Sequence, residues 1–350
     1  MLIGVCVSNE KRKFRAYVKE RLKLYSGNAE LIAFRMKDLD LKRKRVKGEY
    51  LKKKGKKIHR VKGVYPLPAA IYVQTYVHPR MLKKLEKAIG RKVFNNFICD
   101  KWQCSKLLFA DTELQAYLPY TRKLKDLTSV QKALDRYRDV ILKPINAVYA
   151  YGGKGIIRVR LEEDNQIEAY YWSSKGMNKK IFTSYNSLWK FLLDKRSDDD
   201  YIVQQFIPTM KVEDNATDIR LHMNRDGSGQ WVVSDILLRV ATNESHLSHQ
   251  LNMTLEIDYL DNRFPQHQGE ADESYMKESI IKVGLMICRA FDHAGYHMGD
   301  LGIDIGVDEH GHPWVFEVNT LPNPYPSYNY AAFIYPIEYA LYLAAKKKKT

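Results

Sequence analysis

Two apolar segments near the end of the chain carry polar residues that a buried strand does not keep without a use. Asp304 interrupts Leu301–Val307, and Glu317 and Asn319, two apart, fall at the end of the segment that opens at Trp314. The turn Asp308-Glu-His-Gly311 separates them, so they read as an antiparallel strand pair. Side chains alternate across a strand, which lets Asp304, Glu317 and Asn319 point to one face. Two carboxylates and an amide oxygen make a hard-oxygen site suited to Mg²⁺, which takes carboxylates together with substrate phosphates. An asparagine near the end of an otherwise apolar strand is costly without a ligand. The face is either a charged strand rim or a sheet face turned to a ligand, and the asparagine favours the ligand.

A second strand pair poses the same problem with the opposite charge. Asp218-Ile-Arg220 and Leu238-Arg239-Val240 lie on strands that turn around Asp226-Gly-Ser-Gly229. An arginine inside an apolar strand needs an anion or a carboxylate. Either Asp218 and Arg239 form an internal salt bridge, or Arg220 and Arg239 hold a transferring phosphate and a carboxylate substrate. A third segment joins the strand end Lys143-Pro144 to the glycine-rich loop Tyr151-Gly-Gly-Lys-Gly155. Glycines let backbone N–H groups approach a phosphate, and lysines neutralise it. The loop is not a P-loop, because the G-x-x-x-x-G-K-[ST] spacing is absent and a strand follows it.

The remaining elements give an α/β (α+β) chain. Strands are expected at 2–7, 31–34 and 70–74, with a helix around Phe14–Leu22 and another around Met81–Ile89. Val64–Pro68 reads as a turn. Further on, Trp102–Ala110 is helical, and 141–144, 155–161, 201–207, 218–223 and 230–241 are strands. Helices follow at 280–291 and 336–345. The expected organisation is an N-terminal α/β lobe over 1–100, a central lobe over 101–200, a C-terminal lobe over 201–345 with the metal site, and a basic tail over 346–350.

A chain 45% hydrophobic and 28% charged is too apolar to be disordered. No apolar run is long enough to span a bilayer. The N-terminal stretch is too short for a signal peptide, so the cytoplasm is expected. Cys6, Cys99, Cys104 and Cys288 show neither metal spacing nor a disulfide framework and read as buried thiols. The histidines His222, His246, His249, His293, His297, His310 and His312 lack zinc-ligand spacing and read as surface or core residues. Tyr325, Tyr328, Tyr330 and Tyr335 read as packing against the core.

The net charge is +16, of which Lys42–Lys62 carries +11, from twelve basic residues and one acid, and Lys346–Lys349 carries +4. What is left is nearly neutral, so a nucleic-acid-binding domain is not expected. The basic segment is insert-like. It is either a solvated hairpin or a docking element for a polyanion such as an acidic coat protein, nucleic acid or anionic lipid.

The ordered strings Pro66-Leu-Pro-Ala-Ala-Ile-Tyr72, Phe94-Asn-Asn96, Asp100-Lys101-Trp102, Leu118-Pro-Tyr-Thr121, Ile141-Leu-Lys-Pro144, Gly153-Lys-Gly-Ile156, Ile202-Val-Gln-Gln205, Asp218-Ile-Arg220, Leu238-Arg-Val-Ala241 and Phe316-Glu-Val-Asn319 span nearly the whole chain. Through them the sequence resembles the ATP-grasp superfamily, and within it the YheC/YheD-type endospore coat-associated proteins. The resemblance implies an ATP-grasp fold with nucleotide between the central and C-terminal lobes. It implies that Lys101 and Lys143 reach the phosphates, that Gly152, Gly153, Lys154 and Gly155 form the flap, and that Gln204, Gln205, Phe206 and Ile207 form the hinge strand that reads adenine. It implies Asp304, Glu317 and Asn319 as magnesium ligands. The activity implied is ATP- and Mg²⁺-dependent joining of a carboxylate to an amine through an acyl phosphate. Its substrates would be a peptide, a protein or an amino acid in sporulation, and its location the mother-cell side, with association with the spore coat.

Two departures stand out. Gly302 occupies the position where D-alanine–D-alanine-ligase-like members carry an arginine, so Arg220 or Arg239 must supply that charge. Thr242–Met253 replaces the glycine- and asparagine-rich loop of relatives. A coat-associated protein that binds ATP with little or no turnover is the other reading.

Overall fold

Strand-forming residues fall in three groups along the chain, and each group closes into its own six-stranded sheet. The computed structural model describes residues 1–8, 11–146, 155–173, 176–196, 200–241, 251–256, 275–324 and 330–346, without the side chains of 11–17, 251–256 and 275. The expected flap residues Gly152, Gly153 and Lys154 lie outside the described residues. So do Thr242–Gln250, His246, His249, Tyr325, Tyr328 and the tail beyond Lys346.

The first group runs β1 (Leu2–Cys6), α1 (Lys11–Leu24), β2 (Glu30–Asp40), β3 (Arg45–Lys54), β4 (Lys57–Pro66), β5 (Ala70–Val73), α2 (Pro79–Ile89) and β6 (Val93–Phe94). The strand order is β4-β3-β2-β1-β5-β6, with β1 parallel to β2 and β5. Val18 and Leu22 of α1 pack on one face of this sheet, and Leu82, Leu85 and Ile89 of α2 on the other. Cover on both faces is why its central strands read as continuous apolar runs.

Next come α3 (Lys101–Phe109), β7 (Thr121–Leu124), α4 (Leu127–Tyr137), β8 (Asp139–Pro144), β9 (Ile157–Leu161), β10 (Ile167–Ser173), β11 (Gly176–Phe182), α5 (Tyr185–Lys195) and β12 (Tyr201–Gln205). The second sheet is antiparallel, in the order β11-β10-β9-β8-β12-β7. Val140, Leu142, Val159 and Val203 face α4 and α5. By alternation the other face carries Ile141, Lys143, Arg158, Arg160 and Gln204.

The third group comprises β13 (Lys211–Val212), β14 (Asn215–Arg225), β15 (Trp231–Ala241), β16 (Leu251–Glu256), α6 (Tyr275–His293), β17 (Asp300–Val307), β18 (Pro313–Asn319) and α7 (Ala331–Ala345). One face of its antiparallel sheet packs Ile219, Leu221, Ile303 and Ile305 against Ile280, Val283, Ile287 and Phe291 of α6. Each such buried side chain contributes about 1.5–3 kcal/mol. The helix can lie this close because residue 284 is glycine: a Cβ there would stand 2.4 Å from Leu221. The opposite face of β14 and β17 is polar.

Packing crosses the sequence order. Cys104 and Leu108 of α3 join the core of the third sheet, although α3 precedes the second sheet and was expected with the central lobe. Ile337, Ala340 and Leu343 of α7 join the core of the first.

Several elements differ from expectation. The insert-like basic segment is a hairpin, and its strands β3 and β4 continue the first sheet, with β3 paired to β2 over Glu30–Phe34. Val64 to Pro66 continue β4 rather than turning. The last helix begins at Ala331 and holds Pro336 inside it. A proline lacks the N–H that would bond the carbonyl four residues back. Arg21 supplies the missing donor, its Nη1 lying 2.8 Å from the carbonyl of Ala332 and 3.0 Å from that of Phe333. Tyr330, expected against the core, is 47% exposed.

Candidate active site

Asp100 caps α3 and thereby fixes Lys101 at its first turn. The Gln103 N–H donates to Asp100 Oδ1 at 2.7 Å, and the Asp100 N–H donates to Gln103 Oε1 at 3.3 Å. This reciprocal box satisfies two backbone donors. Lys101 Nζ then reaches Glu317 Oε1 on β18 at 2.6 Å.

Lys143 and Gln204 project from adjacent strands onto the uncovered face of the second sheet. Lys143 Nζ donates to Gln204 Oε1 at 2.8 Å, and Gln204 Nε2 donates to Thr121 Oγ1 at 3.0 Å. Burial pushes the Lys143 ammonium down to about 8, and the charges of Glu317 and Asp304 offset part of that. For Glu317, burial pushes the carboxyl up, but Lys101 and Lys143 outweigh it and hold the group below its ordinary value.

Register brings the polar residues of the third sheet together. Arg220 lies opposite Asp304, Asp304 opposite Glu317, and Gly302 opposite Asn319. The three expected metal ligands thus share a face, with Asn319 Nδ2 3.3 Å from Asp304 Oδ2. Asp304 Oδ1 also meets Arg220 Nε at 2.9 Å and Arg239 Nη2 at 3.0 Å. Arg239 is buried and bidentate on Asp218, with Nη2 2.7 Å from Oδ2. The internal salt bridge is therefore what the structure contains, extended to Asp304.

Gly302 explains where the charge went. A Cβ at this position would stand 2.5 Å from Arg220 Nη1 and 2.9 Å from Pro322 Cβ. The guanidinium of Arg220 fills the space that a side chain at 302 would need.

Two cavities flank these groups. One of about 270 Å³ lies between the second and third sheets and is lined by Lys143, Gln204 to Ile207, Asp304 and Glu317. The other, of about 550 Å³, is lined by Lys101 and Asn319 and shares the wall Gln204, Phe316 and Glu317. Arg220 and Arg239 line neither; they stand on Asp304. The chemistry of the donor set fits a hard divalent cation: two carboxylates and an amide on one face, beside lysines that would balance phosphate charge.

Gly155 is described, with φ at +77°, in the region that favours glycine. Arg158 was not singled out from the sequence, although it obeys the same argument as Arg220, an arginine in an apolar strand. Its Nη2 pairs with Asp139 Oδ2 at 2.6 Å, and its guanidinium lies 3.6 Å from the centre of the Phe206 ring, on the wall of the smaller cavity. Two of the described histidines have partners in the core: His222 Nε2 lies 3.2 Å from Asp300 Oδ1, and His297 Nε2 2.6 Å from the Tyr339 hydroxyl. Cys6, Cys104 and Cys288 are buried, and Cys99 is half-buried.

Asp300, which the sequence did not mark, is a hub between the first and third sheets. Tyr72 donates to its Oδ2, Asn224 Nδ2 to its Oδ1 at 3.0 Å, and Arg21 Nη2 lies 3.5 Å away.

Comparison with known proteins places the chain in a family and a fold. The family described as YheC/D-like ATP-grasp matches residues 90–343. The endospore coat-associated protein YheD of Bacillus subtilis (strain 168) is 24% identical over 269 residues, 72% of this chain and 56% of that protein. The chain thus spans little more than half the length of this curated relative. D-alanyl-alanine synthetase A from Vibrio cholerae O1 biovar eltor str. N16961 superposes with a TM-score of 0.55 at 12% identity, over 98% of both chains. N5-carboxyaminoimidazole synthetase from Staphylococcus aureus, complexed with ADP, gives 0.57 at 11% identity, over 99% of this chain and 78% of that one. At these identities the likeness is one of fold.

Proposed function

The chain belongs to the YheC/D-like ATP-grasp family, and on that premise we propose that it is an ATP- and Mg²⁺-dependent carboxylate–amine ligase. One observation carries the reading: Lys143, the strand end Gln204–Ile207, Asp304 and Glu317 line a single cavity between two sheets. In this reading the adenine lies against Gln204, Gln205, Phe206 and Ile207, read through backbone groups and stacked beside the Arg158–Phe206 pair. Lys143 and Lys101 neutralise the phosphates, and the 152–155 flap covers them. Asp304, Glu317 and Asn319 would hold Mg²⁺, which when bound neutralises phosphate charge and polarises the transferred group.

The chemistry then follows in two steps. A substrate carboxylate attacks the γ-phosphorus, and ADP leaves with the electrons of the broken P–O bond. An amine attacks the resulting acyl phosphate, loses a proton, and expels inorganic phosphate as the amide forms. Arg239 and Arg220 act in this reading by holding Asp304 in place, with Arg220 the nearer to solvent and the one able to turn toward the reacting phosphate. In this reading the substrate is a peptide, a protein or an amino acid and the place the mother-cell side; the name of the curated relative, endospore coat-associated, supports association with the spore coat. The same name supports the second reading, a coat-associated protein that binds ATP with little or no turnover.

Lys143→Ala tests the site. Removing a charge from the phosphate position should weaken ATP binding at least tenfold by titration calorimetry. Unchanged affinity would overturn the assignment. Turnover is read as ADP release that depends on both an added carboxylic acid and an added amine. Tight ATP binding without such release across a broad substrate screen would favour the second reading.

A further inference from the structure

The proposed ligase chemistry makes no use of the hairpin β3–β4, which carries +8 of the protein's net charge of +16. β4 is the outer strand of the first sheet, paired to β3 on one side and to no strand on the other among the described residues. Alternate residues of Lys57–Pro66 therefore turn backbone groups outward, with no strand to pair them among the described residues. Register assigns the side chains to faces. Lys47 stands opposite Val64 and Glu49 opposite Lys62, whereas Tyr50 stands opposite Val61 and Lys54 opposite Lys57. The exposed cations Arg45, Lys47, Arg60 and Lys62 thus share one face, Arg60 paired there with Glu49, and the exposed Lys54 and Lys57 share the other. The exposed valines divide in the same way, Val64 (61% exposed) with the first set and Val61 (51%) with the second.

We propose that β4 is a docking edge that takes an extended, acidic polypeptide segment as an added strand. An added strand sends its side chains alternately to both faces and so meets Arg60 and Lys62 of β4 on one face and Lys57 on the other. A lipid surface or a nucleic-acid duplex lies against one face only, and here neither face gathers all the charge or both valines. The aromatic rings of the hairpin are not offered to bases: Tyr50 and Tyr65 stack on each other at 5.5 Å, and the Tyr65 hydroxyl donates to the Val61 carbonyl. A second copy of the same edge is disfavoured by like charge, the usual means of keeping edge strands apart. Charge complementarity selects Glu- or Asp-rich sequence.

The test uses the full chain and a fluorescein-labelled decapeptide of glutamate with valine at every third position, followed by fluorescence anisotropy. Binding should weaken at least tenfold in the Lys47→Glu, Lys57→Glu double variant, which changes one exposed residue on each face, while ATP affinity stays unchanged. Binding of the unaltered protein should also weaken at least tenfold when alternate peptide nitrogens are methylated, since this removes strand pairing but keeps the charge. That arm needs no variant and stands even if the double variant fails to fold. The proposal is overturned if the decapeptide does not bind or if binding survives N-methylation. It is equally overturned if a twenty-nucleotide RNA or phosphatidylserine vesicles bind more tightly than the peptide. Self-association of the charge-reversed protein, with peptide affinity intact, would show instead that the lysines serve to keep copies apart.

Discussion

Lys143 has a neutral partner, and that governs when it is charged. Gln204 accepts its hydrogen bond at 2.8 Å but returns no negative charge, so burial lowers the ammonium from 10.5 to about 8. The folded value lies below the unfolded one. Burial of the charged lysine therefore costs the folded state most below about pH 8, and that cost fades as pH rises toward 10.5. Phosphate binding favours the charged form, so ATP affinity should fall as pH rises through about 8. Gln204→Glu places a carboxylate beside Nζ and should move this fall to higher pH. Titrations of both proteins from pH 7 to 10 check it; the same midpoint in both would contradict the account. At this scale the sequence was informative where a polar residue interrupts an apolar strand, as at Asp304, Glu317 and Arg220. Asp300 escaped notice because it begins its strand, where a carboxylate looks ordinary, and its partners Arg21, Tyr72 and Asn224 are far apart in the chain.

Elements with clean alternation, such as β14, β15, β17 and β18, were legible. A hairpin was one reading of the basic segment, but its place in the first sheet was not legible, because lysines on both faces erase the alternation that marks a strand of a packed sheet. The start of α7 was placed too late for a definite reason. Pro336 looks like a helix opening, and only the fold brings Arg21 to the carbonyls of Ala332 and Phe333. Arg21→Met should cost about 3 kcal/mol, because it leaves buried carbonyls and Asp300 without their donor. In a Pro336→Ala background the same change should cost less, since the restored N–H can bond the Ala332 carbonyl. Denaturant unfolding of the four proteins measures the coupling. Strictly additive costs would show that Arg21 does not compensate for the proline.

The whole molecule places three sheets so that one cavity draws its walls from residues some 170 positions apart, Lys143 on β8 and Glu317 on β18. Short strings and their spacing pointed to both ends of this site. What no local pattern could reveal is the crossing of cores, with α3 packed on the third sheet and α7 on the first. These contacts join segments that are distant in sequence. They hold Lys101 against Glu317, and so they belong to the site as much as to the fold.

The central claim is that a triphosphate nucleotide and a divalent cation lie between the second and third sheets. A crystal structure with a non-hydrolysable ATP analogue and Mg²⁺ tests it most directly. The account predicts adenine beside Phe206, phosphates at Lys143 and Lys101, and the ion on Asp304, Glu317 and Asn319. Nucleotide density elsewhere, with no ion on Asp304, Glu317 and Asn319, would contradict it.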